Sequence, residues 1–121
     1  MQIPFNSIAF DTLGGTFNSS THAYTVARTG YYRISATGYS TTPGTGSERY
    51  AVGCHVAGAL MAFTGGNYSV SDTPLAGFSS VQYVDAGQAI DMWIFSAIAA
   101  NLGAGNSGGH QMFWDMEYLG N

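Results

Sequence analysis

Between Gly30 and Tyr39 the chain alternates: Tyr32, Ile34 and Ala36 fall on one face of an extended backbone, and Tyr31, Arg33, Ser35 and Thr37 on the other. Period two is the spacing of a strand with one buried face. This segment is predicted to be a central strand around which the rest is arranged. The same spacing recurs from Arg49 to Val56, where Tyr50, Val52, Cys54 and Val56 share a face. It recurs again from Gln111 to Leu119, with Met112, Trp114, Met116 and Tyr118 on an apolar face and Phe113, Asp115, Glu117 and Leu119 on a mixed one. Ala89 to Ile98 is apolar on both faces, which suits a strand covered on both sides. Its shortness, its Trp, Ile and Phe content and the turn signals around it favour a strand over a helix.

Turn formers punctuate these runs. Asp11 to Gly15, Arg28-Thr29-Gly30 and Asp85-Ala86-Gly87 read as turns, Phe17 to Thr21 as a polar corner, and Ala57-Gly58 as a hairpin joining Arg49–Val56 to Ala59–Thr64. Thr41 to Glu48, Gly65 to Pro74 and Asn101 to His110 are expected to be exposed loops. Ile3 to Phe10, Ala23 to Ala27 and Leu75 to Val84 complete the predicted strands. No heptad, repeat or amphipathic helix interrupts them. Short strands at this spacing predict an antiparallel β-sandwich or barrel.

The large side chains leading into the central strand form a ladder: Phe5-x5-Asp11-x5-Phe17-x6-Tyr24-x5-Gly30-x-Tyr32-x-Ile34-x-Ala36. The ladder resembles the signature of the globular heads of the complement C-one-q family, relatives of the tumour necrosis factor ligands. Relative to that signature the gap from Asp11 to Phe17 is one residue longer, at Gly14-Gly15, and Ile34 and Ala36 replace aromatic residues. Downstream, the Ala57-Gly58 hairpin, the Val84-Asp85-Ala86-Gly87-Gln88 turn, the apolar Ala89–Ile98 strand and the terminal Tyr118-Leu119-Gly120 extend the resemblance over nearly the whole chain. It implies a single jelly-roll domain spanning residues 1–121, built from about ten strands. It also implies assembly as a compact homotrimer without catalysis.

Composition narrows the function classes. The 121 residues suffice for one domain with a real core. Only 8% are charged and none is Lys, so the exterior has to be Ser, Thr, Asn and Gly, or be hidden by partners. The net charge of −4, with Arg28, Arg33 and Arg49 as the cations, argues against nucleic acid, whose phosphates require clustered positive charge. Cys54 is the lone cysteine, so no intrachain disulfide forms and no cysteine-based zinc cluster exists. It reads as a small buried hydrophobe. Met1-Gln2-Ile3-Pro4 lacks the basic and apolar regions of a secretion signal, and no apolar run is long enough for a membrane span. The expectation is synthesis in a host cytoplasm, with no membrane partner.

Candidate chemistry is sparse. Gly103-x-Gly105-x-x-Gly108 has the glycine spacing of a dinucleotide-binding turn but precedes a strand instead of a helix, and reads as a loop. His22, His55 and His110 could ligate a metal with Asp11 or Asp115 only if folding gathered them, because none has a partner at short helical or strand spacing. Gly77-Phe78-Ser79-Ser80-Val81 lacks the second glycine of a nucleophile elbow. No cofactor, metal or catalytic residue is therefore expected. Asn18-Ser19-Ser20 and Asn67-Tyr68-Ser69 match glycosylation acceptors by pattern, and without a secretion signal they read as polar loops. Tyr50 and Tyr68 could stack on sugars, but core or interface use of aromatics is the commoner outcome.

What remains is an assembly module. Tyr31, Arg33, Val81, Tyr83, Phe113, Asp115, Glu117 and Leu119 are the expected trimer interface. If the last strand lies beside the central one, Arg33 faces Asp115 or Glu117. The functional expectation is a homotrimeric decoration or cement protein of a phage virion, with the major capsid protein or other virion proteins as partners. The alternative is a receptor- or carbohydrate-binding knob of a viral fibre, or a secreted ligand.

Overall fold

A computed structural model describes residues 2, 11–40, 48–68, 73–96, 106–107, 110–111 and 113–121. Within these, residues 37–40, 48–50, 63–68, 73–77, 94–96, 106–107, 110–111 and 113 are described by backbone alone. The described chain is strand and turn throughout: β1 (Thr16–Asn18), β2 (Ala23–Thr25), β3 (Gly30–Ser40), β4 (Glu48–Val56), β5 (Ala59–Tyr68), β6 (Thr73–Val84), β7 (Ala89–Ser96), β8 (Asn106–Ser107), β9 (His110–Gln111) and β10 (Phe113–Gly120).

One sheet has the order β1-β2-β7-β4-β5, a second β10-β3-β6, and β8 pairs with β9 as a short ribbon. All strand pairs are antiparallel. Passing from β2 to β3, β3 to β4, β5 to β6 and β6 to β7, the chain changes sheet each time, which is the winding of a jelly roll. The core lies between the sheets and follows the alternation in the sequence. Tyr32, Ile34 and Ala36 of β3 and Phe78 and Val84 of β6 meet Val52, Cys54 and Val56 of β4, Ile90 and Met92 of β7, and Tyr24 and Val26 around β2. Trp114, Met116 and Tyr118 of β10 pack against this cluster from the edge. Full burial of side chains such as Ile34 or Met92 stabilises the fold by about 1.5–3 kcal/mol each.

Tight turns gather at one end. Ala57 and Gly58 both have positive φ, 52° and 82°, which is the type I′ geometry that matches the twist of a two-residue hairpin. One turn further along, Cys54 pairs with Ala62 but His55 with Leu60, so Met61 is the extra residue of a β-bulge. The hairpin is tied to β7 by Ala57 N–H donating to the Ala89 carbonyl at 2.8 Å. The β2–β3 and β6–β7 turns are tied together as well: Val26 donates to Gln88 O, Gly87 to Val26 O, and Ala86 N–H to Thr29 Oγ1. Gly30 sits where these turns meet β10. A Cβ there would lie 2.6 Å from the Gly120 carbonyl oxygen and 2.6 Å from Tyr118 Cε2, so only glycine fits.

Several expectations are corrected. Phe17 and Asn18, read as part of a polar corner, belong to β1 and pair with Tyr24 and Ala23. Gln111, read as the start of the last strand, lies on β9. The predicted loop Gly65–Pro74 is strand at both ends, because β5 runs to Tyr68 and β6 starts at Thr73. Here tertiary pairing outweighs local turn propensity, with Gly65 opposite Ala51 and Pro74 opposite Tyr39. Glu48 belongs to β4 and not to the preceding loop. Part of the predicted loop Asn101–His110 forms the β8–β9 ribbon. The predicted strand Ile3–Phe10, Met112, residues 97–98 of the predicted Ala89–Ile98 strand, and the glycines at 103, 105 and 108 lie outside the described residues.

Candidate self-association face

The three-stranded sheet turns one face to the core and the other outward, and the outward phase collects the residues singled out by the sequence. Tyr31 stands opposite Tyr83, and their rings meet edge to face, 5.2 Å apart at 70°. Arg33 lies between Val81 on β6 and Glu117 on β10. Its Nη1 donates to Glu117 Oε2 at 2.8 Å. Ser35 lies between Ser79 and Asp115, and its hydroxyl donates to Ser79 Oγ at 3.1 Å. Leu119 occupies the register shift between Tyr118 and Gly120.

Exposure divides this face in two. Tyr31, Val81, Tyr83 and Leu119 are 48, 49, 48 and 41% exposed, a contiguous apolar area at the tight-turn end. Toward the other end come the Ser35–Ser79 pair and Asp115, which are polar. The Arg33–Glu117 pair marks the boundary, with side chains 47% and 64% exposed. An ion pair that exposed contributes about 0–1 kcal/mol to the single chain. Large exposed apolar side chains clustered on one sheet face are the mark of an interaction surface. Phe113, the remaining residue expected here, enters β10 opposite Thr37 and is described by backbone alone.

The ladder residues Asp11 and Tyr24 are structural. The Tyr24 hydroxyl donates to the Asp11 carboxylate, 2.9 Å from Oδ2, and accepts from Gly15 N–H at 2.8 Å. Asp11 also caps its own turn, with Leu13 N–H donating to Oδ1 at 2.7 Å. Burial, and then the bond to Asp11, push the Tyr24 phenol up to about 12. At the far end of the core the Tyr32 hydroxyl donates to the Arg28 carbonyl at 2.6 Å, and burial raises its pKa too.

The other candidates are dispersed. His22 lies in the β1–β2 turn with φ 55°, His55 on β4 stacked on Trp93 with ring centroids 4.7 Å apart, and His110 on β9. Among the described residues no three His, Cys, Asp or Glu side chains gather at metal-binding range. Ser79, the first of the two serines in the Gly77–Val81 run, points outward from the middle of β6 to Ser35. Asn18 Oδ1 accepts from Ser20 and Thr21 N–H, closing the β1–β2 turn. The side chains of Tyr50, Asn67 and Tyr68 lie outside the described part. Burial pushes the Cys54 thiol up to about 11. No helix among the described residues is long and apolar enough to cross a membrane.

Some features carried little signal. The Ser35–Ser79 hydroxyl pair needed the β3–β6 register before it could be placed. Exposed Leu60 and Met61, beside the β4–β5 hairpin, were concealed in an ordinary strand pattern that the bulge shifts outward.

No family model matches this sequence. No curated protein matches it either. Among solved structures it is similar to Eiger TNF from S. frugiperda, with a TM-score of 0.65 and 15% identity over 88% of this chain and 69% of the other. Two antiparallel sheets, jelly-roll winding and that structural likeness together give this chain the tumour necrosis factor-like jelly-roll fold.

Proposed function

We infer that the protein is a non-enzymatic assembly module: a homotrimer formed through the outer face of β10-β3-β6, serving as a decoration or cement protein on a phage capsid. The observation that carries the self-association is the exposed apolar half of that face, Tyr31, Val81, Tyr83 and Leu119. Leaving it in water is unfavourable, and a second and third copy bring surfaces of matching character about a threefold axis. The low charge of the chain supports a role in which much of the surface is covered by partners, the major capsid protein foremost.

Sedimentation equilibrium of the purified chain at micromolar concentration tests the trimer, and a stable monomer overturns it. Electron microscopy of particles carrying the labelled protein tests the virion role. On the order of hundreds of copies over the capsid supports decoration. A handful at a vertex or tail tip supports the second reading, a receptor-binding knob, since the fold by itself serves either role.

A further inference from the structure

The boundary between the apolar and polar halves of the face is held by a charge pair, and the pair behaves differently in a separate chain and in an assembly. In the single chain both side chains are about half exposed or more, so water solvates either one if the other is lost. Once a neighbouring copy excludes water from the face, each charge depends on its partner. We propose that Arg33 and Glu117 form an acid-released latch on self-association. The proposal rests on the self-association reading above.

The groups around Glu117 define what can compensate it. On β3 it faces Arg33, and Tyr31 is two residues away on the same side. Beyond β3, β6 contributes Val81 and Tyr83, neither of them a cationic side chain. On its own strand the outward neighbours are Asp115 and Leu119. Arg33 is thus the one cation facing Glu117 among the described residues. When a proton is added to a Glu117 carboxylate oxygen, the acid becomes neutral while the guanidinium keeps its charge. That leaves Arg33 uncompensated at a dry boundary and Asp115 as the nearest acid. Loss of one partner from a covered pair is expected to weaken association by roughly two orders of magnitude or more. The assembled state therefore binds fewer protons than the separated chains, and acid drives separation.

The test is sedimentation velocity on the full chain at about pH 7 and about pH 2, the latter well below the usual carboxylate range. Circular dichroism is recorded at both to establish that the strands persist. The variants are Glu117→Gln, which imitates the protonated acid, and the double variant Arg33→Met with Glu117→Leu, which removes both charges. Since both side chains are exposed in the single chain, neither variant endangers the fold.

The expected results are a wild-type assembly at neutral pH that separates in acid with its strands intact, a Glu117→Gln chain already separated at neutral pH, and a double variant assembled at both. The latch is overturned if Glu117→Gln assembles as tightly as wild type, if wild type stays assembled in acid, or if the double variant separates in acid in parallel with wild type. A wild-type chain that is monomeric at neutral pH overturns the self-association reading and the latch with it.

Discussion

The Arg28 guanidinium carbon lies 3.9 Å from the centre of the Tyr118 ring, in cation–π contact. The same ring packs against Tyr32 at 5.2 Å, and its hydroxyl donates to the Thr29 carbonyl at 3.2 Å. Arg28 therefore fastens the β2–β3 turn to the end of β10. Arg28→Ala is expected to lower stability by about 0.5–2 kcal/mol, read as a lower urea midpoint with unchanged slope.

Gly30 tests the same junction from the backbone side. Gly30→Ala drives a methyl group into the Gly120 carbonyl and the Tyr118 ring, an overpacking expected to cost about 1–3 kcal/mol. Thermal denaturation followed by circular dichroism reads the loss, and an unchanged midpoint would mean that β10 leaves this corner easily.

The Tyr24 phenol gives the fold an alkaline limit. Below about pH 10 it is neutral in folded and unfolded chains alike, and its contribution is complete. Because the folded chain holds its proton up to about 12, the unfolded chain ionises first, and stability falls as pH rises through that window. Tyr32 acts in the same direction. Tyr24→Phe should lower neutral-pH stability by about 1–3 kcal/mol by stranding Gly15 N–H. Its midpoint should then fall less steeply than that of wild type in urea titrations between about pH 9 and about pH 12.

Ala57 holds a left-handed conformation that its methyl group disfavours. Ala57→Asn supplies the residue that type I′ turns prefer before glycine, and should raise stability by about 0.5–1 kcal/mol in the same urea assay.

Cys54 is fully buried and its pKa is raised to about 11, so little thiolate is available at neutral pH. It should ignore a disulfide reagent in the folded chain and react at once in denaturing urea. Prompt reaction without denaturant would show that the core opens locally around β4.

Strand phases were legible because burial on one side imposes period two: Tyr32, Ile34 and Ala36 point inward and Tyr31 and Arg33 outward, as their alternation requires. The Arg33–Glu117 contact followed from two phases and one strand adjacency. The lengths of β5 and β6 were illegible, because Gly65, Gly66 and Pro74 favour turns locally while pairing with Ala51, Tyr50 and Tyr39 overrides that preference. The bond from Tyr24 to Asp11 joined two residues already marked by the ladder, but hydrogen-bond partners are set by side-chain reach in three dimensions and leave no periodic trace. The exposed Leu60 and Met61 depended on a one-residue bulge, which shifts phase without a distinctive residue type.

The pairing of β3 with both β6 and β10 sets when the molecule can form. Arg33 and Glu117 are 84 residues apart in sequence, so β3 gains its second neighbour only once the long stretch up to β10 has been synthesised. Closing such distant pairs demands chain entropy that no local contact offsets beforehand, which makes folding slow and late. Until β10 arrives, one edge of the central strand and the inner faces of both sheets are open to other chains. The yield of folded protein then depends on how quickly β10 docks as well as on how stable the finished sandwich is.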